Sequence, residues 1–218
     1  MNASNIGYQI CICQNCGLRY PVSVENQYAI RCPNCKSEIQ LVSNSVIQQI
    51  NPDLHTGLRH MNIPVEGLLD NVRSSWNVGS ILRTADGVGL KHIHLCGITS
   101  TPDNPKVTKT SLGAELSVPW SHYPNGVEAA IYLKEQGYRL WALEEDVRSI
   151  PLPEVINKID GSPIVLIVGN ENFGVDPDIL ELCDLCIYIP MIGKKRSYNA
   201  AVAFGIAAYF LLFNQVSR

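Results

Sequence analysis

At 218 residues the chain is long enough to bury one good core and carry a small appendage. Hydrophobic residues make up 46% and charged residues 17%, with no low-complexity tract, so the composition is that of a globular protein. The formal net charge of −3 excludes a global positive field, and any contact with nucleic acid must come from a local patch.

The opening MNASNIGYQICIC lacks a basic segment followed by an apolar core, so no secretory signal is expected. Eight cysteines without such a signal point to a reducing, cytoplasmic setting, where thiols bind metal or sit in a core. CQNC (Cys13 to Cys16) and CPNC (Cys32 to Cys35) enclose fifteen residues. Each C-x2-C turn can present two thiolates to one tetrahedral ion, and the intervening length suits a hairpin. So small a unit has too little apolar surface to fold alone, and structural zinc would supply the missing free energy. Cys11 competes with Cys13 as a ligand, and iron in a rubredoxin-like site is the alternative metal. This reading places a zinc ribbon at residues 1–42 and a polar connector with one short helix at 43–62.

From residue 63 to 218 strands alternate with helices. VEGLLDNV reads as a strand, NVGSILRTADGVG as a helix with a glycine stop, KHIHLCG as a strand and GVEAAIYLKEQG as a helix. YRLWALEE is a strand, PLPEVINKI a short helix and SPIVLIVG a strand. DILELC is a helical turn, CIYIPM a strand and NAAVAFGIAAYFLLF the closing helix. The alternation implies an α/β fold with a largely parallel sheet covered on both faces. SPIVLIVG shows no polar alternation, as expected of a central strand. The run from Ala200 to Phe213 is shorter than the roughly 20 residues that cross a bilayer, so no membrane partner is expected. Cys96, Cys183 and Cys186 read as core thiols rather than ligands.

In such folds ligands gather at the carboxyl ends of strands, and three constellations fall there. In the first, Gly79 leaves room above Arg83 for a bulky partner that the guanidinium could clamp. The plain alternative has Arg83 paired with Asp86 and Asn77 capping the helix. In the second, GNENFG (residues 169–174) brings a glycine turn with exposed N–H groups, and Glu171 is either functional or a helix-start residue. In the third, Lys194, Lys195 and Arg196 precede Ser197, Tyr198 and Asn199 at the mouth of the most apolar helix. Three adjacent cations there gain little for folding and more by neutralising phosphates, although Ser197 and Asn199 could simply cap the helix.

Taken in this order, the three stretches resemble the SPOUT superfamily, specifically the SpoU/TrmH branch of RNA ribose 2′-O-methyltransferases, over about residues 65–215. The first family motif matches Asn77, Gly79 and Arg83, and the second Gly169, Glu171 and Gly174. The third matches Ile189, Pro190, Met191, Ser197, Tyr198 and Asn199. Tyr198 stands where leucine is usual and Ala200 where valine is common. The resemblance implies a C-terminal trefoil knot, a homodimer, and S-adenosylmethionine held by Leu143, Gly169, Asn170, Ile189, Met191, Ser197, Tyr198 and Asn199. It implies that Arg83 serves catalysis with Ser197, Asn199, Asn77 and Glu171, the last two orienting the arginine. It further implies that Lys194, Lys195, Arg196 and Lys109, the last on a substrate-side loop KTSLGAE, face RNA. The expected substrate is tRNA first and rRNA next, with a catalytically inactive RNA-binding or assembly factor as the rival.

Overall fold

The computed structural model describes residues 7–23, 31–42, 46–47 and 63–213. The chain divides into two compact units, Met1–Leu58 and Arg59–Arg218. In the first, strand β1 (Gly7–Cys13) pairs antiparallel with β2 (Arg19–Ser23), β3 (Ile39–Leu41) and β4 (Val46–Ile47). Both cysteine knuckles close alike: Gly17 N donates to Cys13 O (3.0 Å) and Lys36 N to Cys32 O (2.9 Å). The residue after each knuckle is left-handed, with φ 71° at Gly17 and 62° at Lys36. Apart from β4, the expected connector at 43–62 lies outside the described residues.

The second unit is built on a seven-stranded sheet in which every pairing is parallel. Its strands are β5 (Val65–Asp70), β6 (Ile93–Cys96), β7 (Trp120–Tyr123), β8 (Arg139–Leu143), β9 (Ile150–Pro151), β10 (Ile164–Val168) and β11 (Leu185–Tyr188). They lie in the order β7-β6-β5-β10-β8-β11-β9. The helices are α1 (Ser75–Val88), α2 (Pro105–Ser111), α3 (Gly126–Glu135), α4 (Pro177–Leu182) and α5 (Ala200–Phe213). Strand β10 is buried on both faces and its alternation divides the core. Ile164, Leu166 and Val168 join the cluster holding α1 and α5 residues, while Val165 and Ile167 join the one holding α3 and α4 residues. Gly67 in β5 lets α5 settle on the sheet, since a Cβ there would lie 2.6 Å from Ile93 Cδ1 and 3.0 Å from Phe204 Cζ.

Several expectations need correction. KTSLGAE is no loop: it is the end of α2 and a 3-10 turn at Ala114–Leu116. Gly79 makes no room for a ligand, because a Cβ there would lie 2.4 Å from the Val107 carbonyl oxygen of α2. It is a helix-packing glycine. PLPEVINKI folds as a 3-10 helix rather than an α-helix, preceded by the two residues of β9. The strand in CIYIPM stops at Tyr188. Strand β7 went unread because WSHY lies at the sheet edge and has no apolar alternation.

A polar chain, buried at Glu66 and His94 and half-buried at its other members, ties the amino ends of the strands. His92 Nε2 lies 2.9 Å from Ser121 Oγ, which lies 3.3 Å from His94 Nδ1. His94 Nε2 lies 2.8 Å from Glu66 Oε2, and the Tyr138 hydroxyl donates to Glu66 Oε1 at 2.6 Å. Burial lowers the pKa of His92, helped by the neighbouring His94. For Glu66, burial alone acts upward but is outweighed by the hydrogen bonds from His94 and Tyr138, so the net shift is downward. Both signs act alike. Below His92's ordinary value of ~6.5 the unfolded chain takes up a proton that the folded chain resists, and below ~4.3 the same holds for Glu66. The melting temperature should therefore fall between pH 7 and pH 5, and His92→Gln should flatten that step. A flat wild-type profile over this interval would count against the assignment.

Candidate active site

Strand β5 lies between β6 and β10, and the chain crosses over on either side of that junction. Sequence distant in the chain therefore meets at the carboxyl ends. Three segments line a cleft of about 760 Å³: residues 143–145 at the end of β8, residues 168–172 with Gly174 at the end of β10, and, after β11, residues 188, 189, 191 and 195–200 with Ala203. That volume suits a small organic ligand. Leu143, Ile189, Met191 and Tyr198 give it apolar walls, while Glu144, Glu145 and backbone groups give it a polar side.

The turn after β10 is closed by Asn170 N to Gly174 O (2.9 Å) and Gly174 N to Asn170 O (2.8 Å). Gly169 is required there, since a Cβ would lie 2.1 Å from the Gly174 carbonyl carbon. These N–H groups, and that of Asn172, which donates to Asn170 Oδ1 (3.0 Å), are engaged rather than free as expected. Asn170 Nδ2 reaches across to Asn71 O (2.8 Å). Glu144 Oε2 accepts from Val175 N at 3.1 Å. Buried Asp70 accepts from Asp176 N at 2.9 Å, and burial pushes its carboxyl up.

Glu171 does not begin a helix. Its Oε2 accepts from Arg73 N (2.9 Å) and its Oε1 from Ser74 N (3.0 Å) and Asn77 Nδ2 (2.9 Å). Partial burial acts upward on its pKa but is outweighed by these donors, which hold the carboxylate low. Asn77 does not cap α1, a role taken by Ser74. Instead Asn77 Oδ1 accepts from Asn199 Nδ2 (3.0 Å). Asn199 Oδ1 in turn accepts from Ala201 N (3.0 Å) and Val202 N (3.3 Å). One hydrogen-bonded relay thus runs from the turn after β10, through α1, to the start of α5. It joins residues 94 and 122 positions apart.

The pattern that these contacts assemble is also found by comparison: the SpoU rRNA Methylase family matches residues 66–209. The chain belongs to the SpoU methylase family. Among relatives of this SpoU chain, the 23S rRNA (guanosine(2553)-2′-O)-methyltransferase RlmP of Bacillus subtilis is 33% identical over 148 residues, 66% of this chain and 56% of that protein. A tRNA (guanosine(18)-2′-O)-methyltransferase of Thermus thermophilus is 33% identical over 155 residues, 70% of this chain and 76% of that protein. The solved SpoU methyltransferase AviRb of Streptomyces viridochromogenes, in complex with the cofactor AdoMet, matches with TM-score 0.61 at 25% identity, covering 80% of this chain and 68% of that one. The chain spans little more than half the length of some of the curated relatives it matches.

Most residues singled out in the SpoU sequence converge. Leu143, Gly169, Asn170, Glu171, Ile189, Met191, Lys195, Arg196, Ser197, Tyr198 and Asn199 all line the cleft. Four others do not: Asn77, held between Glu171 and Asn199, and the three cations that follow. Lys194 is exposed outside the lining, and Lys109 is exposed at the end of α2. Arg83 is exposed, absent from the lining, and makes no ion pair or hydrogen bond among the described residues. It is paired neither with Asp86 nor with Glu171 or Asn77, so the expected orienting role of those two is not seen within one chain. Sequence reading missed Glu144, Asp70 and Asn71. Each sits at a strand end, and that position was the available signal.

In the first unit Cys13, Cys16, Cys32 and Cys35 bring their sulfurs within 4.8 Å of one another. Cys13 Sγ to Cys35 Sγ is 3.4 Å, and Cys16 Sγ to Cys32 Sγ is 3.6 Å. Tetrahedral Zn–S bonds of about 2.3 Å would set sulfurs about 3.8 Å apart, so the cage fits the ion. Cys11 is buried outside the cluster, and it is Cys13 that joins Cys16 in the first knuckle's half of it. Cys96, Cys183 and Cys186 stay outside it too. Burial pushes the Cys96 and Cys183 thiols up to about 12, as in core thiols.

Proposed function

We propose that the protein methylates the ribose 2′-hydroxyl of RNA, with S-adenosylmethionine bound in the cleft and tRNA as first substrate, rRNA second. The relay from Glu171 through Asn77 to Asn199 carries this reading. It fixes three separate motif stretches, those that the family resemblance rests on, around one cavity at the strand ends. The cavity suits the cofactor: apolar walls from Leu143, Ile189, Met191 and Tyr198 face a nucleoside, and Glu144 and Glu145 face its cationic part. When bound, S-adenosylmethionine supplies a methyl group already activated on a sulfonium. The chain's own residues position the acceptor. Ser197 and Asn199 hold the ribose, while Lys195 and Arg196, with Lys194 and Lys109 further out, take up phosphates. Arg83 orients a phosphate and stabilises the alkoxide that develops as the hydroxyl loses its proton. The guanidinium stays protonated and has no lone pair to take that proton, which passes to a phosphate oxygen of the substrate or to water.

A homodimer belongs to the same reading. Helix α5 is apolar on every side, yet Val202, Ile206 and Tyr209 are exposed along an uncharged groove shared with Ser80 and Thr84 of α1. A second copy seated there covers this face. Asn199 lines both groove and cleft, so the copy's α1 would bring its Arg83 to this cleft. We read residues 189–199 as passing through a trefoil knot, supported by β10 lying between β5 and β8 and by both flanking loops meeting in one cavity. None of the eight cysteines is paired in a disulfide, and four of them gather in one metal-competent cluster, which supports a cytoplasmic location. Among the described residues no helix is long and apolar enough to cross a membrane.

Incubation with labelled S-adenosylmethionine and separated RNA classes should place label on a ribose 2′-oxygen of tRNA. Label in no RNA class overturns the reading. Residues 1–42 form the zinc ribbon in this proposal and 63–218 the methyltransferase domain. Purified protein should carry one zinc per chain, and chelation should unfold the ribbon while leaving the main thermal transition of the second unit in place. Iron colour in the purified protein would refute zinc.

A further inference from the structure

Two large aromatic side chains stand in water beside the cleft. Trp76, in the first turn of α1, is 55% exposed, and Phe173, at the tip of the turn after β10, is 85% exposed. A lone exposed ring is ordinary. These two sit on backbone segments clamped by one carboxylate, because Glu171, two residues before Phe173, binds the amides of Arg73 and Ser74 and the side chain of Asn77. Trp76 lies off the buried stripe of α1, formed by Val78, Ile81, Leu82 and Ala85. Neither ring packs a core. Arg73 beside them is exposed, and Lys195 and Arg196 border the adjoining cleft; none of the three has an ion-pair partner among the described residues. Glu171 offsets only one of these three charges.

We propose that Trp76 and Phe173 form a stacking platform for unpaired RNA bases next to the target nucleotide, with Arg73 holding the intervening phosphate. Rings offer π faces to any base, and the cation tracks the backbone; together they bind single-stranded segments with little sequence preference. The platform rests on the RNA reading above. Occupation by a second copy of the chain is disfavoured, because a twofold contact would set this cationic patch against itself, whereas the α5 groove has no charge.

Trp76 also reports on its own occupancy. The chain has three tryptophans; Trp141 is fully buried and Trp120 half-buried, leaving Trp76 as the exposed one. Full-length protein titrated with a short unstructured RNA should lose tryptophan emission, and Trp76→Phe should abolish that loss while keeping most of the affinity. Trp76→Ala and Phe173→Ala should each weaken binding of unfractionated tRNA roughly tenfold. KM for RNA should rise with kcat and S-adenosylmethionine affinity little changed, and Phe173→Tyr should restore binding. Unchanged tRNA affinity in the Trp76→Ala, Phe173→Ala double variant overturns the platform while the methyltransferase reading stands. Quenching and binding without methyl transfer keep the platform and sink the enzyme reading; no binding of any RNA sinks both. A Trp76-dependent loss of dimer mass with RNA affinity intact makes the patch a protein interface and overturns the proposal.

Discussion

Replacing Arg83 with alanine should lower methyl transfer at least about a hundredfold while S-adenosylmethionine binds as before. Arg83 is absent from the lining of its own cleft, and in the dimer reading its guanidinium meets the acceptor's phosphate and oxygen in the partner's cleft rather than the cofactor's nucleoside, so cofactor affinity should hold. Its exposure also limits the stability change to about ±0.5 kcal/mol, which separates a chemical defect from a folding defect. Because Arg83 lies outside the cleft of its own chain, the dimer reading requires it to act on the partner. That demand can be tested with mixed dimers. Arg83→Ala chains should be inactive through a missing guanidinium, and Ala203→Phe chains through a filled cleft, which Ala203 lines. Mixed together, they should regain activity, since each mixed dimer pairs one intact cleft with one intact arginine. Mixtures that stay dead place Arg83 in its own chain's site, and full activity of Arg83→Ala alone removes it from the mechanism.

Replacing Glu171 with alanine should reduce both stability and turnover. Three donors lose their acceptor, two of them backbone amides at the start of α1. Charge-assisted bonds of this kind are worth about 2 kcal/mol together once water replaces the carboxylate at a half-open site. Turnover should fall further than stability accounts for, by about a hundredfold, because Asn77 is then free to leave Asn199 and the start of α5. Glu171→Gln is the discriminating variant. It keeps one acceptor oxygen and the side-chain length, and should recover most of the melting temperature and part of the rate. Equal loss of rate in Gln and Ala variants, at normal melting temperature for Gln, would assign the carboxylate's charge a direct part in chemistry.

Much of this was readable in one dimension because the signals are local. C-x2-C spacing is set by the reach of a single turn, and the four cysteines it marks do cluster. A both-faces-buried strand needs an unbroken apolar run, and SPIVLIVG has one. Other signals were local but ambiguous. Glycine at position 79 fits either a ligand or a neighbouring helix, and only the position of the α2 carbonyls selects the helix. Edge strand β7 and helix α2 lack a periodic apolar pattern, so they draw their order from neighbours rather than from their own residues.

By itself the sequence determined the class of fold, the cysteine cage, and which stretches would stand at strand ends. It did so because alternation, length and ligand spacing are properties of contiguous residues. Only the tertiary structure decided what those stretches do to one another. Glu171 became the anchor of α1, Asn77 the bridge to Asn199, and Arg83 an exposed side chain outside the lining of its own cleft. Hydrogen bonds between residues about a hundred positions apart depend on strand order and on the direction each turn leaves the sheet, and no local pattern encodes either.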